Sequence, residues 1–403
     1  MKAAGMKPAN MNASNMKADN MNAADMNAAT RIAFCSIRRF PATILAAFFA
    51  TLLAGCRGAD VPPESDIIDP PTRQITLEED LRLGVDEPLF GYVGSVEADA
   101  AGVIYVAEGR DPANIFRFDP SGALVGNLGS MGEGPGEYQG LGNIMPGRDS
   151  IVVWDSRVDR MITYEADGSH RRTGKRISTG NPTSVSILGK TDGGYFIVET
   201  PYFTTGMTND DVGDVSYRML YPDGSLGDVI WTSGISEYLL WSEANSMSVS
   251  SRPFGRRTTC AALADHFYCA WTESLELHGF TASGDTLPPF RIQYKPIPVT
   301  AAERQEAIEG VSDIFIDQLS IPDTRPALDG MTADDSGRLW LKVRLEPGDE
   351  VANYWILDPA DGSIVSTRLE GNVTIRSIRD DHAYAVLQTP EGESLVVRYR
   401  IVE

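Results

Sequence analysis

Two β-rich runs followed by a glycine turn recur six times along the second part of the chain, and this repeat limits the fold more than any other feature. "GVIYVAEGRDPANIFRFDPSGAL", from Gly102, overlays "DSIVVWDSRVDRMITYEADGSH", from Asp149. In each, the first run ends at an acid (Glu108 or Asp155) and the second closes at Gly122 or Gly168. Looser copies close at Gly224, Gly284 and Gly362, and "DHAYAVLQTPEGESLVVRYRIVE" runs to the chain end. Each unit makes one small antiparallel sheet that cannot bury both faces alone. Sheets set radially about an axis cover one another and leave few open edges. The expectation is an all-β, six-bladed β-propeller of four-stranded antiparallel blades over residues 73–403.

The last copy is one strand short, and the early run "RQITLEEDLRLG" (Arg73–Gly84) is predicted to supply that strand and close the ring. One segment departs from the pattern. In "PVTAAERQEAIEGV", Thr300 and Glu303 form a capping-box pair and Gly310 ends a short helix. This insertion near 300–310, between blades four and five, is expected at one rim, as a buttress or as part of a lid.

Residues 1–30 form a low-complexity leader in which methionine recurs every five residues, a period that fits neither a helix nor a strand. Residues 31–55 read as a signal peptide: Arg31, Arg38 and Arg39 precede the short apolar stretch Ala42–Ala54. It ends in Leu53-Ala54-Gly55-Cys56, which looks like a bacterial lipobox with Cys56 as the lipidated residue. The Pro- and acid-rich residues 56–72 read as a flexible tether. No aspartate follows Cys56 directly, which favours the outer membrane among envelope locations.

The formal net charge is −21, and removal of residues 1–55 makes it more negative. Such a surface repels phosphate backbones, so nucleic acid is not an expected partner. Cys260 and Cys269, in "TTCAALADHFYCAW", flank a hairpin signal at Ala264-Asp265 and are expected to form a disulfide in an oxidising compartment.

The stretch "GSMGEGPGEY" (Gly129–Tyr138) falls at the crossover between blades one and two. It lacks the spacing of a dinucleotide loop or P-loop, and Glu133 and Glu137 would oppose a phosphate. Gly134-Pro135-Gly136-Glu137 suits a type II turn. Gly132, Gly134, Pro135, Gly136, Glu137 and Tyr138 therefore make a structural inter-blade loop. This stretch, with the run after it, resembles NHL-type repeats. The chain is similar to bacterial six-bladed β-propeller lipoproteins, most closely in blades one, two and five; "IPDTRPALDGMTADDSGRLWLKV" (Ile321–Val343) matches their fifth blade. The resemblance implies the fold and leaves the activity open.

Two functional classes remain. Lactonase-like propellers hold a divalent cation with oxygen ligands in the channel. The corresponding candidates here are Glu97, Asn143 and Asp329, with Ca²⁺ as the implied ion. His170, His266, His278 and His382 show no metal-binding spacing, and no G-x-S-x-G elbow occurs. The favoured class is a monomeric binding module for a protein, peptide or glycan. The irregular segment with Tyr202, Phe203, Tyr238, Trp241 and Phe254 is then either a small core of its own or a binding patch.

Overall fold

A computed structural model describes residues 67–402, apart from 110–112, 180–182, 206, 208–212, 244–245 and 347–349. The leader, the signal segment and Cys56 lie outside the described residues. Blades one to five each contain four antiparallel strands in chain order from the centre outward. Their inner strands are Val93–Ala98, Leu141–Pro146, Thr183–Lys190, Thr258–Leu263 and Leu328–Ala333. Blade six begins with inner strand Val373–Arg379, continues through His382–Gln388 and Ser394–Val402, and takes its outer strand, Thr76–Leu83, from the other end of the domain. The inner strands neighbour one another in order, and that of blade six lies beside that of blade one. The ring is closed.

The sequence builds this through burial. The second strand of a blade is covered on both sides by adjacent blades, so Ile104–Glu108 is buried at every position and Ser150–Asp155 at all but its first. Such strands read as continuous apolar runs. Outer strands such as Leu124–Asn127 face solvent and carry little of that signal. Apolar cores fill each junction between neighbouring blades. Tyr105 and Ile115 of blade one pack with Ile144, Val153 and Tyr164 of blade two, and Tyr384 and Val396 of blade six pack with Val96 and Ile104 of blade one.

The hairpin turns repeat as well. Asp119 Oδ1 accepts hydrogen bonds from Ser121 N and Ala123 N, at 2.9 and 3.0 Å, and Gly122 closes the turn at φ +89°. Asp167, Asp223 and Asp361 make the same kind of Asx turn, and their bonds to Ser169, Ser225 and Ser363 hold these carboxyls below the usual range. The turn acids are structural.

Strand direction alternates within a blade, so every inner strand starts, and every outer strand ends, on one face. That face carries the crossovers, including 128–140 and 293–327, the inserted strands Tyr238–Glu243 and Ser246–Ser251, and the loop residues 202–205. The opposite face carries tight turns such as 119–123, 221–225 and 264–265. Loops are thus sharply uneven between a crossover face and a hairpin face.

Part of the tether is not free. Ile67–Ile68 pairs in parallel with the outer strand of blade four, and Gln293 N donates to Ile68 O at 2.8 Å. The chain then passes the edge of blade five, where Ile75 N donates to Ser366 O at 2.8 Å, and enters blade six. The physical reason is Ile68, which packs on the core between blades four and five. The segment acts as a strap across the outer edges of three blades, joined in order by these contacts.

Candidate functional site

The three channel candidates do not meet. Glu97 and Asn143 line one cavity of about 580 Å³ with Ser377, Arg379 and Asp334, opening toward the hairpin face. Asp329 stands at the start of its inner strand, at the crossover mouth, and lines an adjoining cavity that shares Met331, Thr332 and Arg376 with the first. Arg344 holds it in a two-point ion pair, with Nε to Oδ1 and Nη2 to Oδ2 both 3.1 Å. Among the described residues no group of three His, Cys, Asp or Glu is arranged to hold a metal ion. A guanidinium on Asp329 and another facing Glu97 fit a divalent cation poorly.

Glu97 still differs from an ordinary surface acid. It retains some contact with channel water, but the inner strands pack closely about its carboxyl. Burial raises its pKa to about 8, against the opposing pull of Arg379 and Ser377. At neutral pH Glu97 is mainly a neutral acid, able to donate a proton or a hydrogen bond.

The acids that end the repeat's first run have a local task. Glu108 Oε1 accepts from Gly91 N and Tyr92 N, at 3.2 and 3.0 Å. Asp155 accepts from Gln139 N, Gly140 N and Arg160 Nε, at 3.1, 3.0 and 3.1 Å. Thr272 Oγ1 accepts from Arg257 N at 3.0 Å in blade four. In these three blades the side chain pins the backbone that leads into the inner strand, satisfying donors that no sheet partner reaches. The equivalent placement was visible in the sequence; the role was not.

In the glycine loop, Glu137 N donates to Gly134 O at 3.1 Å around Pro135, and Gly136 takes φ +77°, as a type II turn requires. Glu137 Oε2 turns back to accept from Gly134 N at 2.7 Å, and a Cβ on Gly132 would sit 2.1 Å from that oxygen. Tyr164 Oη and Arg160 Nη2 donate to the carbonyls of Gly136 and Glu137, and Tyr138 is fully buried. The loop's polar groups bond one another and blade two, so it is built as a joint.

Cys260 and Cys269 face each other across the first two strands of blade four and form a disulfide, with 4.1 Å between Cα atoms. The histidines are dispersed: His170 bonds Thr173, His266 bonds Asp265, His278 faces Glu276 and His382 bonds Asp380 O.

The aromatic segment forms a hairpin, Tyr238–Glu243 with Ser246–Ser251, inserted on the crossover face. Leu239 and Leu240 of its first strand are buried, Phe203 meets Tyr238 edge-on at 5.4 Å, and Arg325 lies over the Phe254 ring. Tyr202 is half exposed. Most of these rings therefore belong to a small local core. Beside the hairpin lies the short turn Asp313–Gln318. The helix Ala301–Gly310, whose Thr300–Glu303 capping box is formed, precedes it in the same crossover. The helix buries none of its residues; it is held by Arg304, which donates to Ile321 O and Pro322 O, and by the Glu303–Arg325 ion pair.

The crossover mouth was missed by sequence reasoning. Its cavity of about 530 Å³ is lined by Asp329, Arg257, Arg344, Lys342 and Arg376. Lys342 Nζ donates to Thr374 Oγ1 at 3.0 Å, and an Arg257 guanidinium nitrogen donates to the main-chain oxygen of Asp329.

With this geometry described, the match to a protein family agrees on architecture. A family model, DUF5128, described as a 6-bladed beta-propeller, matches residues 83–196. This is a six-bladed β-propeller. No curated protein matches the chain. Among solved structures, a candidate exported protein from Bacteroides fragilis NCTC 9343 is similar at 14% identity, over 84% of this chain and 100% of that one, with TM-score 0.47. A member of the duf4221 family from Bacteroides vulgatus is similar at 12% identity, over 82% and 99%, with TM-score 0.46. Virginiamycin B lyase from Staphylococcus aureus is similar at 12% identity, over 82% and 100%, with TM-score 0.39. At these identities no activity transfers to the present propeller.

Proposed function

We propose that this propeller is an exported, lipid-anchored module of the bacterial envelope that binds a protein, peptide or glycan on its crossover face. The observation that carries the reading is the unequal distribution of loops. The inserted hairpin, the helix, the turn Asp313–Gln318 and the loop residues 202–205 all lie on the face that surrounds one channel mouth. Rigid scaffolds concentrate recognition in such loops. The acids and glycines that repeat from blade to blade are engaged in building the ring, which leaves the loops as the variable part. Anchoring through Cys56, on the tether before the strap, would hold the domain near a membrane surface; an NHL-like blade pattern and the outer membrane as location go with this reading.

The test replaces the hairpin 238–251 with a short Gly-Ser turn and, separately, the hairpin-face turn 221–225 with Asn-Gly. Both variants are compared with the unaltered protein for complexes isolated from cross-linked envelopes. Loss of the complexes on the first replacement alone is expected. Equal retention in both would overturn the face assignment.

A further inference from the structure

The crossover mouth combines three facts that the repeat does not explain. Arg376, on the inner strand of blade six, projects an exposed guanidinium into the channel and makes no hydrogen bond or ion pair with any described residue. Arg257, from blade four, directs a guanidinium nitrogen to a main-chain oxygen, which leaves its charge unmatched by a carboxylate. The one acid lining this cavity, Asp329, is already matched by Arg344. Lys342 adds a further ammonium; it and Arg344 also border a neighbouring recess that contains Glu346 and Glu350. Arg376 also reaches the adjoining cavity with Glu97, Asp334 and Asp335 but forms no ion pair with these acids, so the unmatched charge rests on Arg257 and Arg376. These two come from the blades on either side of blade five and line one cavity of about 530 Å³, the size of a small-molecule site.

A chain with net charge −21 repels anions over most of its surface. Cations gathered in a walled channel focus the opposite field and draw an anion to that one place. Guanidinium groups match a two-oxygen anion through paired N–H donors, which gives geometry as well as charge.

From this arrangement we infer that the crossover mouth is a binding site for an oxyanion carried by a small molecule, a carboxylate or a phosphate ester, with Arg376 and Arg257 as its principal donors. Lys342 stands at the edge of the same site. The inference rests on the crossover face being the recognition face and names the chemistry of its centre. The ligand's neutral part would lie outward, among the loops of that face.

The test is calorimetric titration of the full chain in detergent with sodium glucuronate, glucose 6-phosphate and inorganic phosphate, and with glucose as the neutral control, at fixed ionic strength. At least one oxyanion probe is expected to bind and glucose is not; glucuronate against glucose 6-phosphate separates a carboxylate source from a phosphate source. Added salt should weaken the interaction. Arg376→Gln should reduce affinity about tenfold or more, with a melting temperature without ligand that is little changed, since this side chain makes no hydrogen bond or ion pair with any described residue. Arg257→Gln provides a second reading of the same site. Absence of binding by every oxyanion, or unaltered affinity in Arg376→Gln, would overturn the inference. Binding of the probes together with envelope complexes that ignore the crossover loops would uphold the anion site and count against the face assignment alone.

Discussion

Arg398 Nε donates to Asp80 Oδ1 at 2.8 Å, joining residues 318 positions apart across the seam that closes the ring. His382 approaches the same carboxylate from the neighbouring strand, with Nε2 3.4 Å from Oδ2. The seam is exposed, so this ion pair adds little by itself. Its value lies in marking where the N-terminal strand must lie.

The apolar contacts of that strand make it necessary. Ile75 and Leu83 are buried at the junctions of blade six with blades five and one. Burying two such side chains contributes about 3–6 kcal/mol, so deleting Arg73–Gly84 should lower the melting temperature by on the order of 10 °C. Ile67→Ser, at an exposed position of the strap, should change it little. Calorimetric melting of both variants checks the contrast, and a stable, unaltered deletion would show that the ring closes without this strand.

Asp155 should be among the most sensitive acids in the molecule. Its side chain is fully buried, and removing it strands two backbone donors and the Arg160 guanidinium. Asp155→Ala is expected to cost about 3–5 kcal/mol in urea unfolding, against less than about 0.5 kcal/mol for Glu133→Ala on the exposed part of the glycine loop. Equal effects would refute the pinning role assigned to the repeat's acid.

The Glu97 carboxyl titrates near 4.5 when free and at about 8 in the fold, because burial penalises its charged form. The folded state therefore holds the extra proton, and the stability linked to it is complete below the free value and lost as pH rises through about 8. Glu97→Gln should remove this component and flatten the fall in stability across that window. An identical pH profile for the variant and the unaltered protein would exclude Glu97 as its source.

Cys56→Ser should release the protein from membranes into the soluble fraction, and the wild-type chain should carry lipid mass at that cysteine. Unchanged fractionation would remove the anchor from the proposal.

The ring was legible because burial on both faces writes a continuous apolar run into each second strand, as in Ile104–Glu108, and because Asx turns fix aspartate and glycine at regular places. The disulfide followed from a short hairpin. The channel was legible only in part. The first part of inner strand Val373–Arg379 alternates buried and accessible residues, so Thr374 and Arg376 share a face, but the sequence does not say which residues of other blades stand opposite. Asp329 was chosen on that incomplete basis, and Arg344 at the end of the next strand takes its carboxylate. Ile67–Ile68 lies in a Pro- and acid-rich stretch whose composition hid two residues that dock on blade four.

The most direct measurement is photo-crosslinking in intact cells from single positions on the two faces: Tyr202 and Trp241 on the crossover face, Ser121 and Asp223 on the hairpin face. Adducts from the first pair and none from the second are the expected result. Adducts from the hairpin-face positions, with none from Tyr202 or Trp241, would contradict a recognition surface built from the crossover loops.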